Sequence, residues 1–198
     1  LATFQMLLHR HGAGDDIVVG SPIANRNRSE LEGLLGFFVN TLVLRTDCSG
    51  NPTFRELLQR VKKVALEGYS HQDVPFDKLV DELKPERSLS YSPLFQVTFA
   101  LQEDRKSTLN LPGLELSWQE VDRGSAKFDL ALFVSDTYDG LSCVIEYDTD
   151  LFQDLFIRRM LGHFEKLVQS VVSNPGQRIG ELPMLAPTEM TEVMAMTR

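Results

Sequence analysis

Only two cysteines occur in the 198 residues, Cys48 and Cys143, far apart and without CxxC spacing. This excludes a disulfide framework and points to a reducing, cytoplasmic compartment in which both thiols are ordinary packing residues. No apolar run approaches the roughly 20 residues needed to span a bilayer, so no membrane anchor of that kind is expected. Positive charge is scarce: 20 lysines and arginines face 28 acids, for a net charge of −8. Such a chain is poorly suited to nucleic acid or anionic membrane, and neither is expected as a partner. GxSxG, Walker and HExxH motifs are missing, as is any metal-spaced Cys/His cluster, so no metal site is expected. The four histidines, His9, His11, His71 and His163, are scattered and no two are adjacent. There is no initiator Met, and Leu1 already lies in the amphipathic pattern Leu1, Phe4, Leu7, Leu8, so a piece of a larger protein is expected.

What is present reads as alternating helix and strand. An opening helix ends at His9-Arg10-His11 before Gly12, with the histidines as end-of-helix residues. A buried strand at 17–19 and a Gly/Pro/Asn-rich loop carrying Arg26 and Arg28 follow. Ser29-Glu30-Leu31-Glu32 and Thr53-Phe54-Arg55-Glu56 fit capping boxes, each opening a helix. Between them, residues 35–45 alternate Phe, Val, Leu and Thr and are expected to form a strand covered on both faces. The second capped helix buries Phe54, Leu57, Leu58, Val61, Val64 and Ala65. A shorter one after Pro75 presents Phe76, Leu79, Val80 and Leu83. Strands are expected at 94–101, 114–121, 128–135 and 141–147, the last two joined through Tyr138-Asp139-Gly140. Asp150 is a candidate cap for a long helix with Phe156, Met160, Phe164, Leu167, Val168 and Val171 inward and His163 at its surface or boundary. The fold class is therefore α/β, a mixed sheet with packed helices, over residues 1–176. Residues 177–198 are expected to be a linker.

Three polar junctions stand between apolar elements: residues 21–28, 71–73 and 87–92. Asn40 and Thr41 are out of place in an apolar strand, where an unpartnered polar group costs about 1–3 kcal/mol. Either they hydrogen-bond a neighbouring loop or they line a polar channel. Carboxylates such as Asp129, Asp136, Asp139, Asp148 and Asp150 are explained by turn chemistry rather than by acid–base catalysis. Pattern alone leads to an α/β lobe with a polar crevice.

Three ordered motifs carry a resemblance. Gly36-Phe37-Phe38-Val39-Asn40-Thr41 through Arg45, then His71-Gln72-Asp73-Val74-Pro75-Phe76, then Arg87-Ser88-Leu89-Ser90-Tyr91-Ser92-Pro93-Leu94 resemble the fifth, sixth and seventh core motifs of condensation domains of non-ribosomal peptide synthetases. Residues 16–26, 95–99 and 126–130 look like the same family, and Gly180-Glu181-Leu182-Pro183-Met184-Leu185 looks like the start of a linker towards an adenylation domain.

The resemblance implies a lobe of chloramphenicol-acetyltransferase-like fold, the C-terminal one of two. The family's HHxxxDG motif belongs to the other lobe, and no catalytic residue is expected in this chain. The implied reaction is acyl transfer between thioesters carried on phosphopantetheine arms, which are substrates rather than bound cofactors. Implied partners are the donor and acceptor peptidyl carrier proteins, the N-terminal lobe and a downstream adenylation domain. Asn40, Thr41, Arg45, His71, Gln72, Asp73, Arg87 and Ser90 are implied as channel or motif residues. Arg26 is implied as the partner of the motif's aspartate in an ion pair between lobes. Alternatives are a non-catalytic lobe that binds carrier proteins, an epimerisation domain, whose fifth motif usually lacks the run at 38–41, and a heterocyclisation relative.

Overall fold

The computed structural model describes residues 1–86, 91–103, 113–114, 124–137 and 140–196. Five strands form one sheet, β1 (Asp16–Ile23), β2 (Asn40–Asp47), β3 (Val97–Glu103), β4 (Leu130–Thr137) and β5 (Gly140–Tyr147), in the order β2-β1-β3-β4-β5. Pairing is parallel for β1–β3 and β3–β4 and antiparallel for β1–β2 and β4–β5, so the sheet is mixed as expected. The expected strand at 114–121 lies almost wholly outside the described residues. Thr137 pairs with Gly140, so β4 and β5 form the expected hairpin, with Gly140 at φ +125°, a conformation that suits glycine.

Helices α1 (Ala2–Leu8), α3 (Phe54–Ser70) and α5 (Asp154–Ser173) bring the apolar residues of the core onto one face of this sheet. Phe4 of α1 is its centre, fully buried, stacked on Phe99 of β3 at 6.0 Å and met edge-on by Phe164 of α5 at 6.5 Å. The Thr53 capping box forms in full: the Glu56 N–H donates to Thr53 Oγ1 (3.3 Å), and the Thr53 N–H to the Glu56 carboxylate (2.7 Å). On α3 only Phe54, Leu57 and Val61 are buried, while Leu58 is exposed, because the helix covers the edge of the sheet with a narrow stripe.

Four expectations are corrected. The strand read at 35–45 begins only at Asn40 and is an edge strand with one buried face, Leu42, Leu44 and Thr46. Its partner β1 stops at Ile23, opposite Asn40, so residues 35–39 have no neighbour to pair with, and Leu35 and Phe37 are exposed. Ser29 does not cap: α2 (Ser29–Glu32) starts one residue earlier than a Ser29 cap allows, with Arg28 at the cap position and no side-chain bond. Asp150 does not cap α5 either. Its N–H donates to Asp148 Oδ1 (2.8 Å) in a turn, and the helix begins at Asp154 behind Gln153. His163 is buried rather than at the surface, 7% exposed on the inward face of α5.

The stretch from residue 177, read as a linker, starts inside the core. Ile179 and Leu182 are fully buried, and the Ile179 N–H donates to the Pro52 carbonyl (2.9 Å). A last helix, α6 (Pro187–Met196), follows.

Gly20 is constrained by packing. A Cβ there would lie 2.3 Å from the Phe95 ring, itself 2% exposed and set 5.5 Å from both Phe76 and Phe128. The ring has nowhere to go. Gly20→Ala is therefore expected to destabilise the fold by roughly 1–3 kcal/mol through overpacking. Urea midpoints check this, and adding Phe95→Leu should recover part of the loss.

Candidate functional site

Where β1 ends and β2 begins, three segments converge. Asn25 takes a left-handed turn (φ +51°), which asparagine tolerates, and carries the chain out of β1. Arg26 then turns back on residues 31–38. Its Nη1 donates to the carbonyls of Leu31 and Leu34 (2.9 Å for Leu34) and its Nη2 to that of Gly36 (3.4 Å). Its guanidinium lies 4.2 Å above the centre of the Phe38 ring. Thus Arg26, half-buried, gathers the carbonyls of α2, of the turn after it and of Gly36 onto one guanidinium.

Asn40 does the same for the next segment, α4 (Phe76–Leu83) and the junction before it. Its Nδ2 donates to the carbonyls of Gln72 (2.9 Å) and Val74 (2.8 Å), and its Oδ1 accepts the Phe76 N–H (3.0 Å). Three of the amide's four hydrogen-bonding sites are used on backbone. Asp73 is tied to the first loop by Asn27, whose Nδ2 donates to Asp73 Oδ1 (3.0 Å). Arg26, Asn27, Asn40 and Asp73, with the backbone carbonyl of Gln72, thus form one polar cluster at one end of the β1–β2 pair. Of the two readings left open for Asn40, the loop-bonding one is seen directly.

Other expected site residues lie elsewhere. Arg45 is at the opposite end of β2, five residues and so about 17 Å from Asn40. There it forms a bidentate pair with Asp16, Nε–Oδ1 2.9 Å and Nη2–Oδ2 2.6 Å, both side chains largely exposed. The hydrogen bond from Arg45 holds the Asp16 carboxyl below its usual range. The His71 ring turns back on α3, with Nδ1 2.9 Å from both Ser70 Oγ and the Glu67 carbonyl. Thr41, half-buried, pairs across to Pro22. Arg87 and Ser90 lie outside the described residues.

The cluster contains no nucleophile beside a base. Among the described residues, no group of three His, Cys, Asp or Glu side chains is placed to hold a metal ion. What the cluster can do is fix backbone: two loops and a helix start are set in register by side chains rather than by strand pairing. Sequence reading missed Asn27 and Phe38, whose partners are 46 and 12 residues away and leave no periodic trace.

A family model described as Condensation domain matches residues 1–194. A linear gramicidin synthase polypeptide of Brevibacillus parabrevis is 50% identical over 197 residues, 98% of this chain and 2% of that protein. Chondramide synthase cmdD of Chondromyces crocatus is 46% identical over 189 residues, 96% of this chain and 5% of that protein. The chain therefore spans only a few per cent of these relatives. The crystal structure of the X-domain from teicoplanin biosynthesis superposes with a TM-score of 0.84 at 31% identity, covering 93% of this chain and 43% of that one. The three motifs, the mixed five-stranded sheet and the match across nearly all of its length agree, and this chain belongs to the condensation domain family.

Proposed function

We propose that this chain is the C-terminal lobe of a condensation domain in a non-ribosomal peptide synthetase, supplying one wall of the tunnel in which a peptide bond is made. The observation that carries this reading is the family match over residues 1–194, together with a polar cluster built from two of the family's motifs. In the reaction, the α-amine of an acceptor aminoacyl thioester attacks the carbonyl of a donor thioester. The C–N bond forms, the C–S bond breaks, and the donor's phosphopantetheine thiol leaves with the proton lost by the amine. Both reactants arrive tethered to carrier proteins. Holding two such groups in near-attack geometry can supply about 7–11 kcal/mol of the barrier. Rigid backbone at the tunnel wall is what that demands of this lobe, and the Asn40 and Arg26 staples provide it.

In this reading the adjacent histidines of the family lie on a partner lobe, and the segment after residue 176 leads towards an adenylation domain in the cytoplasm. Incubated alone with loaded donor and acceptor carrier proteins, the 198-residue chain is expected to yield no dipeptidyl thioester above a protein-free control. The complete domain should yield it. Product from the chain alone overturns the assignment.

A second reading, an interaction lobe without catalysis, is favoured by one observation. The X-domain from teicoplanin biosynthesis, which this chain resembles, has been solved in complex with OxyB. A complete domain that binds loaded carrier proteins but forms no dipeptide would support it.

Two substitutions in the complete domain probe the cluster. Asn40→Ala removes three bonds to backbone and is expected to cost about 1–3 kcal/mol of stability. Turnover should fall further than the unfolded fraction accounts for, and full activity in the destabilised variant would reduce Asn40 to a core amide. For Arg26, the proposed ion pair with the histidine motif's aspartate predicts strong coupling in a double-mutant cycle. Breaking a buried pair of this kind costs roughly 3–5 kcal/mol, whereas additive effects would leave Arg26 with only its carbonyls and Phe38.

A further inference from the structure

Away from the polar cluster, the end of the chain is fastened to the lobe by a second set of side chains. Arg10, in the wide turn His9–Ala13 after α1, donates from Nη1 to the carbonyls of Leu182 and Ile179 (3.4 Å for Ile179). Beside it, the buried His163 of α5 stands between two partners. Its Nδ1 lies 3.1 Å from His11 Nε2, and its Nε2 lies 3.1 Å from each carboxylate oxygen of Glu189 on α6. Phe156 meets the His11 ring edge-on at 5.6 Å. Glu189 also accepts the Ala186 N–H (2.8 Å) and faces Arg159 Nε at 3.9 Å, while Arg159 reaches Glu192 at 3.4 Å. Glu165 and Lys166 are the other charged groups lining the groove of about 520 Å³ between α5 and α6.

The contact between the two imidazoles depends on proton count. One proton must lie between the facing nitrogens. With His163 Nε2–H donating to Glu189, neutral His163 presents a bare Nδ1, and neutral His11 supplies its Nε2–H. One added proton can be held on His163 if His11 shifts its own proton to Nδ1 and accepts instead. A second turns both facing nitrogens into donors on cationic rings, 3.1 Å apart and beside Arg10. The hydrogen bond then becomes a repulsion.

We propose that His11, His163 and Glu189 form a proton-released latch that holds α6 on α5, closed while His11 is neutral and opened once both imidazoles are charged. Burial, followed by the charges of His163 and Arg10, holds the His11 pKa below the ordinary histidine value, with Glu189 opposing. The bond from the Ala186 N–H, and then that from His163, lower the Glu189 carboxyl pKa. A histidine whose pKa is lower in the closed state takes up a proton on opening, so closure weakens as pH falls below about 6.5. The Glu189 carboxylate contributes in the same direction at lower pH. The latch stands apart from the acyl-transfer reading, since none of its residues belongs to the cluster at the end of β1 and β2.

Hydrogen exchange on the complete synthetase polypeptide, normalised for the intrinsic rate at each pH, tests this. Peptides covering 187–196 report α6, and peptides from β4 report the fold. Protection of α6 is expected to hold above about pH 7 and to fall by up to about tenfold per pH unit below about 6.5, while β4 stays protected. His11→Gln keeps a donor towards His163 but does not titrate, so it should retain the protection and lose the slope just below about pH 6.5, leaving only the Glu189 contribution at lower pH. His163→Phe should lower α6 protection at every pH. The proposal is overturned by α6 protection that ignores pH, by a His11→Gln variant with the original slope, or by β4 opening in step with α6.

Discussion

The structure turns on the point where β1 stops. Beyond Ile23 there is no strand for residues 35–39 to pair with, yet that segment carries backbone carbonyls that need donors. Of these only the Gly36 carbonyl is taken by Arg26, and two side chains order the segments around the gap. Arg26 takes carbonyls from Leu31, Leu34 and Gly36 into one guanidinium, and Asn40 binds the backbone of Gln72, Val74 and Phe76. Both use side chains with several donors in fixed geometry, so one residue orders a whole segment. The result is irregular backbone fastened by side-chain hydrogen bonds, at the edge where a tunnel wall is proposed.

The opposite requirement operates in the core. Phe4 is buried among Phe99 and Phe164, and Phe95 is wedged against Gly20 so closely that no Cβ fits between them. The two regimes meet at Phe76, whose N–H belongs to Asn40 and whose ring packs 5.5 Å from Phe95. Phe76 thus links the junction at 71–75 to the aromatic row that packs on Gly20 of β1. In this fold, loop position and core packing are one mechanical problem.

The end of the chain is treated differently from the rest. Ile179 and Leu182 are as buried as any core residue, while α6 is attached through polar groups, His163 with Glu189 and Arg159 with Glu192. Apolar burial does not depend on protons, whereas the imidazole contact does. A segment anchored first by one and then by the other combines a permanent joint with a conditional one.

Much was legible in the sequence because it is local. The Thr53 capping box, the helical stripe of α5 apart from the exposed Phe156, the β4–β5 hairpin and the three motifs are all set within a few residues, where spacing alone carries the signal. The three motifs also sufficed to point to the family and to single out Asn40, Gln72 and Asp73, while Arg26 came from the flanking stretch 16–26. What the sequence could not show is which residues would find partners far along the chain. Residues 35–39 read as strand because their composition is that of a strand, and only the early end of β1 denies them a neighbour. His163 reads as a boundary residue because helical periodicity is blind to an α6 that returns 26 residues later. Arg45 and Asn40 sit in one motif, yet five residues of extended β2 hold them about 17 Å apart. Sequence determined most of the elements and the family, α6 and the start of β2 excepted; the tertiary structure decided which distant polar groups meet, because that depends on where strands end and not on what lies beside each residue in the chain.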